Sequence, residues 1–412
     1  DKAFEIINNS SEDVENWSVV FDVNQSTKIS QFWNGKLEIS DSKLTLTPET
    51  YNNVITANSQ IEIGFILLDS EDEAIKGYKL FIDGKEYVGE TKKVEETKVE
   101  ETTEPVKAPS NTEGTPVSVH GKLSVKGKNI VDKDGNTFII QGVSTHGIAW
   151  FPKYVSLETF KTLRDDFNAN TIRLAMYSDK NAGYNESMHA KVSEGVDYAT
   201  ELGMYVIIDW HILGDNNPNQ NKEAAKKFFT EMTNKYKDYD NVIYEICNEP
   251  NGNVTWSKDV KPYANEIIPL IRSIDDDAII VVGTPTWSQD VDIASKDQLE
   301  GYSNIVYTLH FYAATHKQDL RNKLKTALDN GLPVLVSEFG ICDASGNGSI
   351  DENEANKWIS YLRENGIGYV CWNLSNKNES SSILKSSTTS ISGWSDSELS
   401  QEGLWLKKTY NN

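Results

Sequence analysis

Residues 205–249 read YVIIDWHILGDNNPNQNKEAAKKFFTEMTNKYKDYDNVIYEICNE. An apolar run at 205–211 is followed by an amphipathic segment and then by a second apolar run at 242–249. Both runs are rich in β-branched and aromatic residues and are almost continuously apolar, as in strands that are covered on both faces. The segment between them has helical periodicity, so this stretch predicts a β–α–β unit with parallel strands.

The same unit recurs along the C-terminal two thirds of the chain. Eight strand candidates alternate with helical segments: FIIQGVS (138–144), TIRLAMY (171–177), YVIIDWH (205–211), VIYEICNE (242–249), AIIVVGT (278–284), IVYTLHFY (305–312), PVLVSEFG (333–340) and YVCWNLS (369–375). Eight alternations within about 270 residues predict a (β/α)8 TIM barrel rather than an open α/β sheet. No GxGxxG or GxxxxGK segment opens a helix, which disfavours a nucleotide-binding fold.

The composition divides the chain into three parts. Residues 1–88 contain short alternating runs separated by Asn, Ser and Gly clusters, which predicts a small all-β sandwich. Residues 89–117 hold no aromatic side chain and are rich in Glu, Thr, Lys and Pro, so we predict a flexible acidic linker. Residues 118–412 then form the barrel domain.

Charge and cysteine content limit the partners. The 412 residues include 62 acidic and 40 basic side chains, a formal net charge of −22, which disfavours nucleic acid and leaves a neutral polymer acceptable. No apolar run approaches the ~20 residues that span a bilayer, so we expect no membrane partner. Cys247, Cys342 and Cys371 form no CxxC pair, and we expect reduced, buried thiols. We also expect a monomer.

Almost every predicted strand ends in a titratable, amide or aromatic side chain. In a TIM barrel these ends meet at one mouth, where active sites lie. The residues concerned are His146, Arg173, His211, Asn248, Glu249, Trp287, His310, Tyr312, Glu338 and Trp372. A single residue of this kind is more typical of a satisfied core position, but the whole set at one mouth indicates an active site.

Two glutamates, Glu249 and Glu338, follow the fourth and seventh predicted strands. Glycoside hydrolysis needs such a pair: a carboxylic acid protonates the leaving oxygen, and a carboxylate meets the oxocarbenium-like centre. A separation of ~5–5.5 Å would indicate retention of configuration, and ~6.5–9.5 Å inversion. If Arg173 and the Tyr312 hydroxyl reach Glu338, that carboxylate stays ionised as the nucleophile. Apolar neighbours of Glu249 should raise its pKa towards an acid/base role.

The strings GVSTHGIAW, IRLAMY, IIDWHIL, IYEICNEPNG, TPTWSQD, HFYAATH, VSEFG and WNLSNKNESSS resemble glycoside hydrolase family 5, and most of all its bacterial endoglucanase branch. The resemblance covers residues 118–410. It implies a retaining endo-β-1,4-glucanase acting on cellulose-type glucan, with Glu249 as acid/base and Glu338 as nucleophile. It also implies sugar contacts at His146, Tyr177, Lys377 and Glu379 on the non-reducing side, and stacking platforms at Trp150 and Trp287. Two carboxyls and water complete this chemistry, so we expect no cofactor and no metal.

Two alternatives to this function remain open. The same barrel could act on mixed-linkage glucan, xyloglucan, mannan or xylan, because a change at one sugar hydroxyl alters few contacts. A non-catalytic glucan-binding barrel is disfavoured because both glutamates are intact. The sequence starts without an initiator Met or a basic-then-apolar segment, as if a signal peptide had been removed. Together with a polymeric substrate, this leads us to expect a secreted, extracellular protein.

The N-terminal region resembles a family 2 carbohydrate-binding module through FEIINNSSEDVENWSVVFDV, FWNG and ETYNNVITANSQIEIGFIL. The resemblance implies that Trp17 is core and that Trp33 and Tyr51 are surface rings for a glucan chain. The family's aromatic residue on the early strand is missing here. Cellulose binding and a spacer or docking role therefore both remain open for residues 1–88.

Two further groups of residues lead to predictions of lesser weight. Residues 343–354 (DASGNGSIDENE) have the spacing of a calcium loop, with Glu354 at the twelfth position. A strand precedes them, so a Gly-rich loop leading into a helix is the favoured interpretation. Trp210, Trp358 and Trp405 are expected to pack in the core, and Trp256 is undecided.

Overall fold

The structure, a computed structural model, describes residues 2–8, 10–23, 28–33, 35–40, 42–48, 52–57, 59–68, 75–87 and 114–412. The chain divides into two compact units, residues 1–102 and 103–412. None of the described helices has the length and apolarity that crossing a bilayer requires.

The N-terminal unit is all-β, as predicted. Its strands are β1 (Lys2–Asn8), β2 (Val14–Glu15), β3 (Trp17–Val23), β4 (Lys28–Trp33), β5 (Lys36–Ser40), β6 (Lys43–Thr47), β7 (Val54–Ile55), β8 (Ser59–Leu68), β9 (Ile75–Ile82) and β10 (Lys85–Tyr87). They pair in the orders β1-β8-β4, β10-β9-β3-β6-β5 and β2-β7, and every pairing is antiparallel.

Strand β3 supplies much of the core of this unit because alternate side chains point to the same face. Trp17, Val19, Phe21 and Val23 are buried, and they cluster with residues of β6, β7 and β8. The Trp17 indole N–H donates to the Asn52 carbonyl at 2.8 Å, so its one polar atom is satisfied. The prediction that Trp17 is core is confirmed. The Trp33 side chain and Tyr51 lie outside the described residues.

The C-terminal unit is a closed barrel of eight parallel strands, which confirms the predicted TIM barrel. A hairpin of β11 (Ser124–Lys126) and β12 (Asn129–Val131) precedes it. The barrel strands are β13 (Gln141–Thr145), β14 (Thr171–Tyr177), β15 (Tyr205–His211), β16 (Val242–Glu245), β17 (Ile280–Val282), β18 (Ile305–Tyr312), β19 (Val334–Gly340) and β20 (Tyr369–Leu374). The barrel closes where β13 pairs with β20. Several strands are shorter than predicted because the hydrogen bonds to the neighbouring strands end before the apolar run of sequence does.

The helices are α1 (Pro116–His120), α2 (Leu157–Phe167), α3 (Met188–Glu201), α4 (Lys222–Tyr236), α5 (Lys261–Arg272), α6 (Pro285–Ser288), α7 (Val291–Ala294), α8 (Gln318–Asp329), α9 (Glu352–Glu364) and α10 (Gln401–Tyr410). Short 3-10 turns span Pro152–Tyr154 and Lys180–Ala182, and a π-helical turn spans Trp256–Val260. The predicted linker extends to residue 117, but α1 already begins at Pro116, where the Val117 N–H donates to the Gly203 carbonyl.

The barrel core has two parts. Inside the barrel, one apolar layer contains Ile207, Ile243, Val281, Val306, Leu335 and Val370, and it is joined by Ile130 of the β11–β12 hairpin. Outside, the helices pack on the strands in a larger cluster that includes Trp210, Trp358, Trp405 and Trp256. The first three are core as predicted, and Trp256 proves to be core as well. The apolar layers leave the carboxyl ends of the strands as the place for polar chemistry.

Candidate active site

The residues predicted at the strand ends converge at the carboxyl end of the barrel. Alternation along each strand sends every second side chain inward. On β15 this places Asp209 and His211 on the same side, opposite Trp210, which packs against the helices. Parallel register then sets Tyr177 of β14 beside His211. The barrel geometry thus gathers residues that are far apart in the sequence.

Two irregularities in the β18–β19–β20 ladder shape the site. The register shifts between Thr308 and His310, and again between Val336 and Phe339. Strict alternation would send Ser337 and Glu338 to opposite faces. Both instead contact groups inside the barrel, since Ser337 donates to Glu245 and Glu338 accepts from Arg173. Bulges of this kind commonly re-aim side chains at active sites.

Arg173, which is fully buried, is the centre of a polar layer beneath the mouth. Its Nε donates to Glu245 at 2.8 Å and its Nη2 lies 3.0 Å from Asp209. Its Nη1 donates to Glu338 Oε2 at 3.1 Å, the contact expected from the sequence. The prediction missed Asp209 and Glu245, which lie in the middle of apolar strands. A carboxylate within an apolar strand is the sequence signal for such a residue. An unpaired charge is too costly to bury, so a buried carboxylate implies a charged or hydrogen-bonding partner.

Asn248 has a fixed orientation. Its Oδ1 accepts from Arg173 Nη2 at 2.6 Å, and its Nδ2 donates to the Ile212 carbonyl at 3.0 Å. The second Nδ2 hydrogen then faces His211 Nε2 at 3.2 Å. His211 Nε2 is therefore an acceptor, and its Nδ1–H donates to Asp209 at 2.6 Å.

Glu338 and Glu249 have different donors. Glu338 accepts from Arg173 and, at 2.7 Å, from the Tyr312 hydroxyl, so two donors stabilise its ionised form. Among the described residues Glu249 contacts no Lys or Arg, and its Oε1 lies 2.8 Å from His310 Nδ1. One carboxylate oxygen of each glutamate lies within 4.8 Å of the other. This upper limit is below the ~6.5–9.5 Å of inverting pairs and is compatible with the ~5–5.5 Å of retaining pairs.

Burial acts on the pKa of both acids. It raises the pKa of Glu249 to about 8. Burial and then the charge of Glu249 raise the pKa of Glu338 as well, and His310 and Arg173 oppose that rise. The sequence indicates the Arg173 partner of Glu338 but not the burial of its carboxyl. Since Glu338 has the direct Arg173 and Tyr312 donors, we place the proton of the pair on Glu249 at neutral pH.

A row of rings lines one side of the mouth. His211 stacks on Trp372 with ring centroids 5.1 Å apart and planes at 15°. Tyr177 lies 4.4 Å from His211 and 5.1 Å from Trp150. Trp150 is 50% exposed, which is unusual for a side chain of its size. His146 contacts both Trp150 and Trp372.

Glu379 lies at the polar rim of this row. It accepts from Lys377 Nζ at 2.7 Å and from Asn373 Nδ2 at 3.1 Å. His146 Nε2 lies 3.7 Å from it. Burial lowers the pKa of His146 to about 4, so the ring is neutral at neutral pH. The structure thus brings together all the side chains predicted to contact sugars on the non-reducing side.

Trp287 is placed by the loop after β17. Its backbone N–H donates to the carbonyl of Pro250, the residue after Glu249. Thr286, Trp287 and Ser288 all have φ between 54° and 57°, in the left-handed region. The Trp287 side chain is 46% exposed. A large exposed ring on a turn that is bonded to Pro250 fits the predicted stacking role.

The loop at 343–354 does not have the arrangement of a calcium site. Glu354, the twelfth-position residue, contacts Arg321 Nη1 at 2.6 Å and Lys357 Nζ at 3.2 Å. Asp343 accepts from the backbone and hydroxyl of Ser345. Asp351 instead caps α9 by accepting from the Glu354 N–H. These carboxylates serve ion pairs and turns, which agrees with the Gly-rich-loop interpretation.

A closed (β/α)8 barrel with two buried carboxyls facing each other at its mouth defines a glycoside hydrolase. Residues 131–378 match the family described as "Cellulase (glycosyl hydrolase family 5)", and the chain belongs to this family. Residues 1–80 match the family described as "Cellulose binding domain". Both resemblances inferred from the sequence are confirmed.

Relatives cover one or both units. The endoglucanase of Clostridium saccharobutylicum is 48% identical over 300 residues, which make up 72% of this chain and 66% of that protein. Endoglucanase E-5 of Thermobifida fusca is 34% identical over 418 residues, 97% of this chain and 86% of that protein. The solved catalytic domain of T. fusca endoglucanase Cel5A (E5), in complex with cellotetraose, is 36% identical with a TM-score of 0.69, covering 73% of this chain and all of that one.

Proposed function

We propose that this chain is an endo-β-1,4-glucanase that hydrolyses internal bonds of cellulose-type glucans with retention of configuration. The single observation that carries the proposal is the pair of buried carboxyls, Glu249 and Glu338, within 4.8 Å of each other. Their different donors support different roles. Glu249, with its raised pKa, is the acid/base, and Glu338, held by Arg173 and Tyr312, is the nucleophile.

The reaction proceeds in two displacements. A Glu338 oxygen attacks the anomeric carbon while the bond to the leaving sugar breaks, and Glu249 transfers its proton to the leaving oxygen. The product of this step is a glycosyl ester on Glu338. Water then attacks the same carbon, Glu249 takes a proton from it, and Glu338 leaves as a carboxylate. Two inversions at one carbon retain its configuration.

Flat rings and a polar rim support a glucan chain as the substrate. The faces of a β-glucosyl unit present C–H bonds that pack on aromatic rings, and its equatorial hydroxyls need polar partners. Trp150 and Trp287 offer exposed rings, and Lys377 and Glu379 offer a polar rim. The relative in complex with cellotetraose further favours β-1,4-glucan.

Secretion and a monomeric state are part of the proposal. An insoluble or polymeric substrate must be cut outside the cell. A single chain supplies both carboxyls and all the partners described for them, so no second copy is needed at the site. Light scattering of the purified protein tests the monomer, and cell fractionation tests the location.

Reducing-sugar release tests the substrate. We expect turnover of carboxymethylcellulose with internal cleavage, seen as a fall in viscosity ahead of reducing ends. Galactomannan and xylan serve as controls that differ from glucan in configuration or substitution. Faster turnover of either control than of carboxymethylcellulose would contradict the glucan assignment.

Azide rescue tests the two roles. In Glu338→Ala, azide can take the place of the nucleophile, and we expect an α-glycosyl azide of inverted configuration. In Glu249→Ala with an activated aryl cellobioside, azide attacks the glycosyl ester, and we expect the β-glycosyl azide. The opposite pairing of products with variants would mean that the roles are exchanged.

A further inference from the structure

A chain of buried contacts runs from the acid/base into the polar layer. His310 Nδ1 lies 2.8 Å from Glu249 Oε1. On the other side of the ring, His310 Nε2 lies 2.9 Å from Ser337 Oγ. Ser337 Oγ donates to Glu245 Oε1 at 2.7 Å. All four side chains are buried, and His310, Ser337 and Glu245 are at most 1% exposed, so solvent does not compete for the inner contacts. The two displacements described above use only the first of them.

Glu245, at the end of this series of hydrogen bonds, decides where the hydrogens of the other groups lie. Glu245 accepts from Arg173 Nε at 2.8 Å and from Nη2 at 3.1 Å. Burial raises the pKa of Glu245 and Arg173 opposes the rise. A carboxyl that faces two guanidinium donors binds them best as a carboxylate. We therefore take Glu245 as ionised.

An ionised Glu245 takes the only hydrogen of the Ser337 hydroxyl, so Thr308 Oγ1, 2.6 Å from Ser337 Oγ, donates to it and leaves one lone pair of Ser337 Oγ for His310. Ser337 Oγ must then accept from His310 Nε2–H, because two lone pairs would otherwise face each other at 2.9 Å. Burial lowers the pKa of His310 to about 4, so its ring carries a single N–H at neutral pH. With that hydrogen on Nε2, Nδ1 presents a lone pair to Glu249.

We propose that Glu245 and Ser337 hold His310 in the Nε2–H tautomer, and that the Nδ1 lone pair thereby favours the protonated form of Glu249. This inference rests on the proposed function, since it concerns the same two displacements. Protonated Glu249 donates to Nδ1, whereas ionised Glu249 meets a lone pair. After the first displacement has taken its proton, the same repulsion favours recovery of a proton from the attacking water. Glu245 and Ser337 act through Glu249 and are positioning residues.

Other charged groups also act on the hydrogen-bonded series from Glu249 to Glu245. The titratable and charged groups that act on Glu249 and His310 include Arg173, Tyr177, Asp209, His211, Glu245, Tyr312 and Glu338. A useful variant must interrupt this series of hydrogen bonds and leave all of these charged and titratable side chains in place. Ser337→Ala does so, because it removes only a neutral hydroxyl. Thr233→Val is the matched control, since it also removes one fully buried hydroxyl, which donates to the Phe229 carbonyl on α4, outside the polar layer.

The kinetic test compares pH profiles of the full chain on cellotetraose. In Ser337→Ala we expect the basic limb of the kcat/KM profile to shift to lower pH by roughly one unit. Without Ser337 the His310 ring can carry its hydrogen on Nδ1, which stabilises ionised Glu249. The KM should not change. On 2,4-dinitrophenyl cellobioside, whose leaving group needs no acid, kcat/KM should match wild type and show that Glu338 is intact. Thr233→Val should keep the wild-type profile.

The tautomer itself can be observed by nitrogen-15 NMR of His310 in the full chain. We expect Nε2–H in wild type and a shift towards Nδ1–H in Ser337→Ala. An Nδ1–H tautomer in wild type would overturn the proposal, as would an unmoved basic limb in Ser337→Ala. If wild type cleaves no β-1,4-glucan, the proposed function fails on its own, while the NMR measurement still decides the tautomer.

Discussion

Glu249 and Glu338 have the same side chain, and the groups around each decide where the proton lies. Two donors on Glu338 favour its carboxylate, whereas Glu249 faces a neutral imidazole and is buried. Two carboxyls this close cannot both ionise without cost, so they titrate as a coupled pair. At the residue scale, this asymmetry of donors supports the proposed roles of Glu249 as acid and Glu338 as nucleophile.

The pH dependence of catalysis follows from the acid. Glu249 must be protonated for the first displacement, so kcat/KM on cellotetraose should fall as the pH rises through about 8. Replacing it with Gln should lower kcat on this substrate by ~10²–10⁴-fold and remove that limb. Steady-state kinetics between pH 5 and 10 check this. A basic limb that persists unchanged in Glu249→Gln would show that another group titrates.

Glu402 in α10 leads to a prediction about stability. It is fully buried, its Oε1 accepts from Cys371 Sγ at 3.3 Å, and its Oε2 has no partner among the described residues. Burial raises its pKa to about 8, against about 4.3 in an unfolded chain. The folded state therefore holds the proton more tightly, and this contribution to stability is full below pH ~4 and falls as the pH rises to about 8.

Glu402→Gln removes this dependence. Relative to wild type, its free energy of unfolding should rise by a few kcal/mol between pH 5 and pH 8, since each pKa unit corresponds to about 1.4 kcal/mol. Urea denaturation at a series of pH values measures the difference. Glu364→Gln, at an exposed position of α9, is the control. A constant difference between Glu402→Gln and wild type over this range would contradict a buried neutral acid.

At the element scale, the eight strands are predictable because burial on both faces leaves a continuous apolar run. The bounds of β15 and β18 are those predicted. The β11–β12 hairpin could not be predicted, because its three-residue strands are too short to show any periodicity. Strand ends locate the mouth of the barrel, whereas the contact between Ser337 and Glu245 depends on ladder shifts that the sequence does not display.

The polar layer across the barrel strands depends on one cation. Arg173 faces Asp209, Glu245 and Glu338, so removing its charge leaves three buried carboxyls without it. Arg173→Met should destabilise the fold by about 3–5 kcal/mol and abolish turnover. Arg173→Lys keeps the charge without the planar fork and should be intermediate in both. Thermal unfolding and kcat measure the series, and equal stability of the Met and Lys variants would refute the charge argument.

Two variants of Trp287, in the turn after β17, distinguish the contribution of its ring to substrate binding from the strain of its backbone. Trp287→Ala should raise the KM for cellotetraose several-fold by removing the ring, with little change in kcat for bound substrate. Trp287→Gly removes the same ring and also suits the left-handed φ of 54°. It should match the KM of the Ala variant and exceed its stability by about 1 kcal/mol. Equal stability of the two variants would argue against strain at this position.

At the scale of the whole molecule, the two units have separate cores. The sandwich core centres on Trp17 and Phe21, and the barrel closes on itself through β13 and β20. A closed barrel leaves no strand edge that needs a partner. The proposed catalytic residues, Glu249 and Glu338, lie in the barrel unit. Folding and turnover should therefore not require the N-terminal unit, whose match to a cellulose-binding family suggests a separate task.

Deletion of residues 1–113 tests this division. The remaining chain, residues 114–412, should keep the wild-type kcat and KM on soluble cellotetraose and unfold as a single cooperative unit, because the barrel core is intact. If the N-terminal unit binds cellulose as its family match suggests, adsorption to insoluble cellulose should fall, because a second attachment point raises the effective concentration of the barrel at the surface. Depletion of each protein from solution by cellulose powder measures this. Equal adsorption of the full and shortened chains would assign the N-terminal unit a spacer or docking role instead.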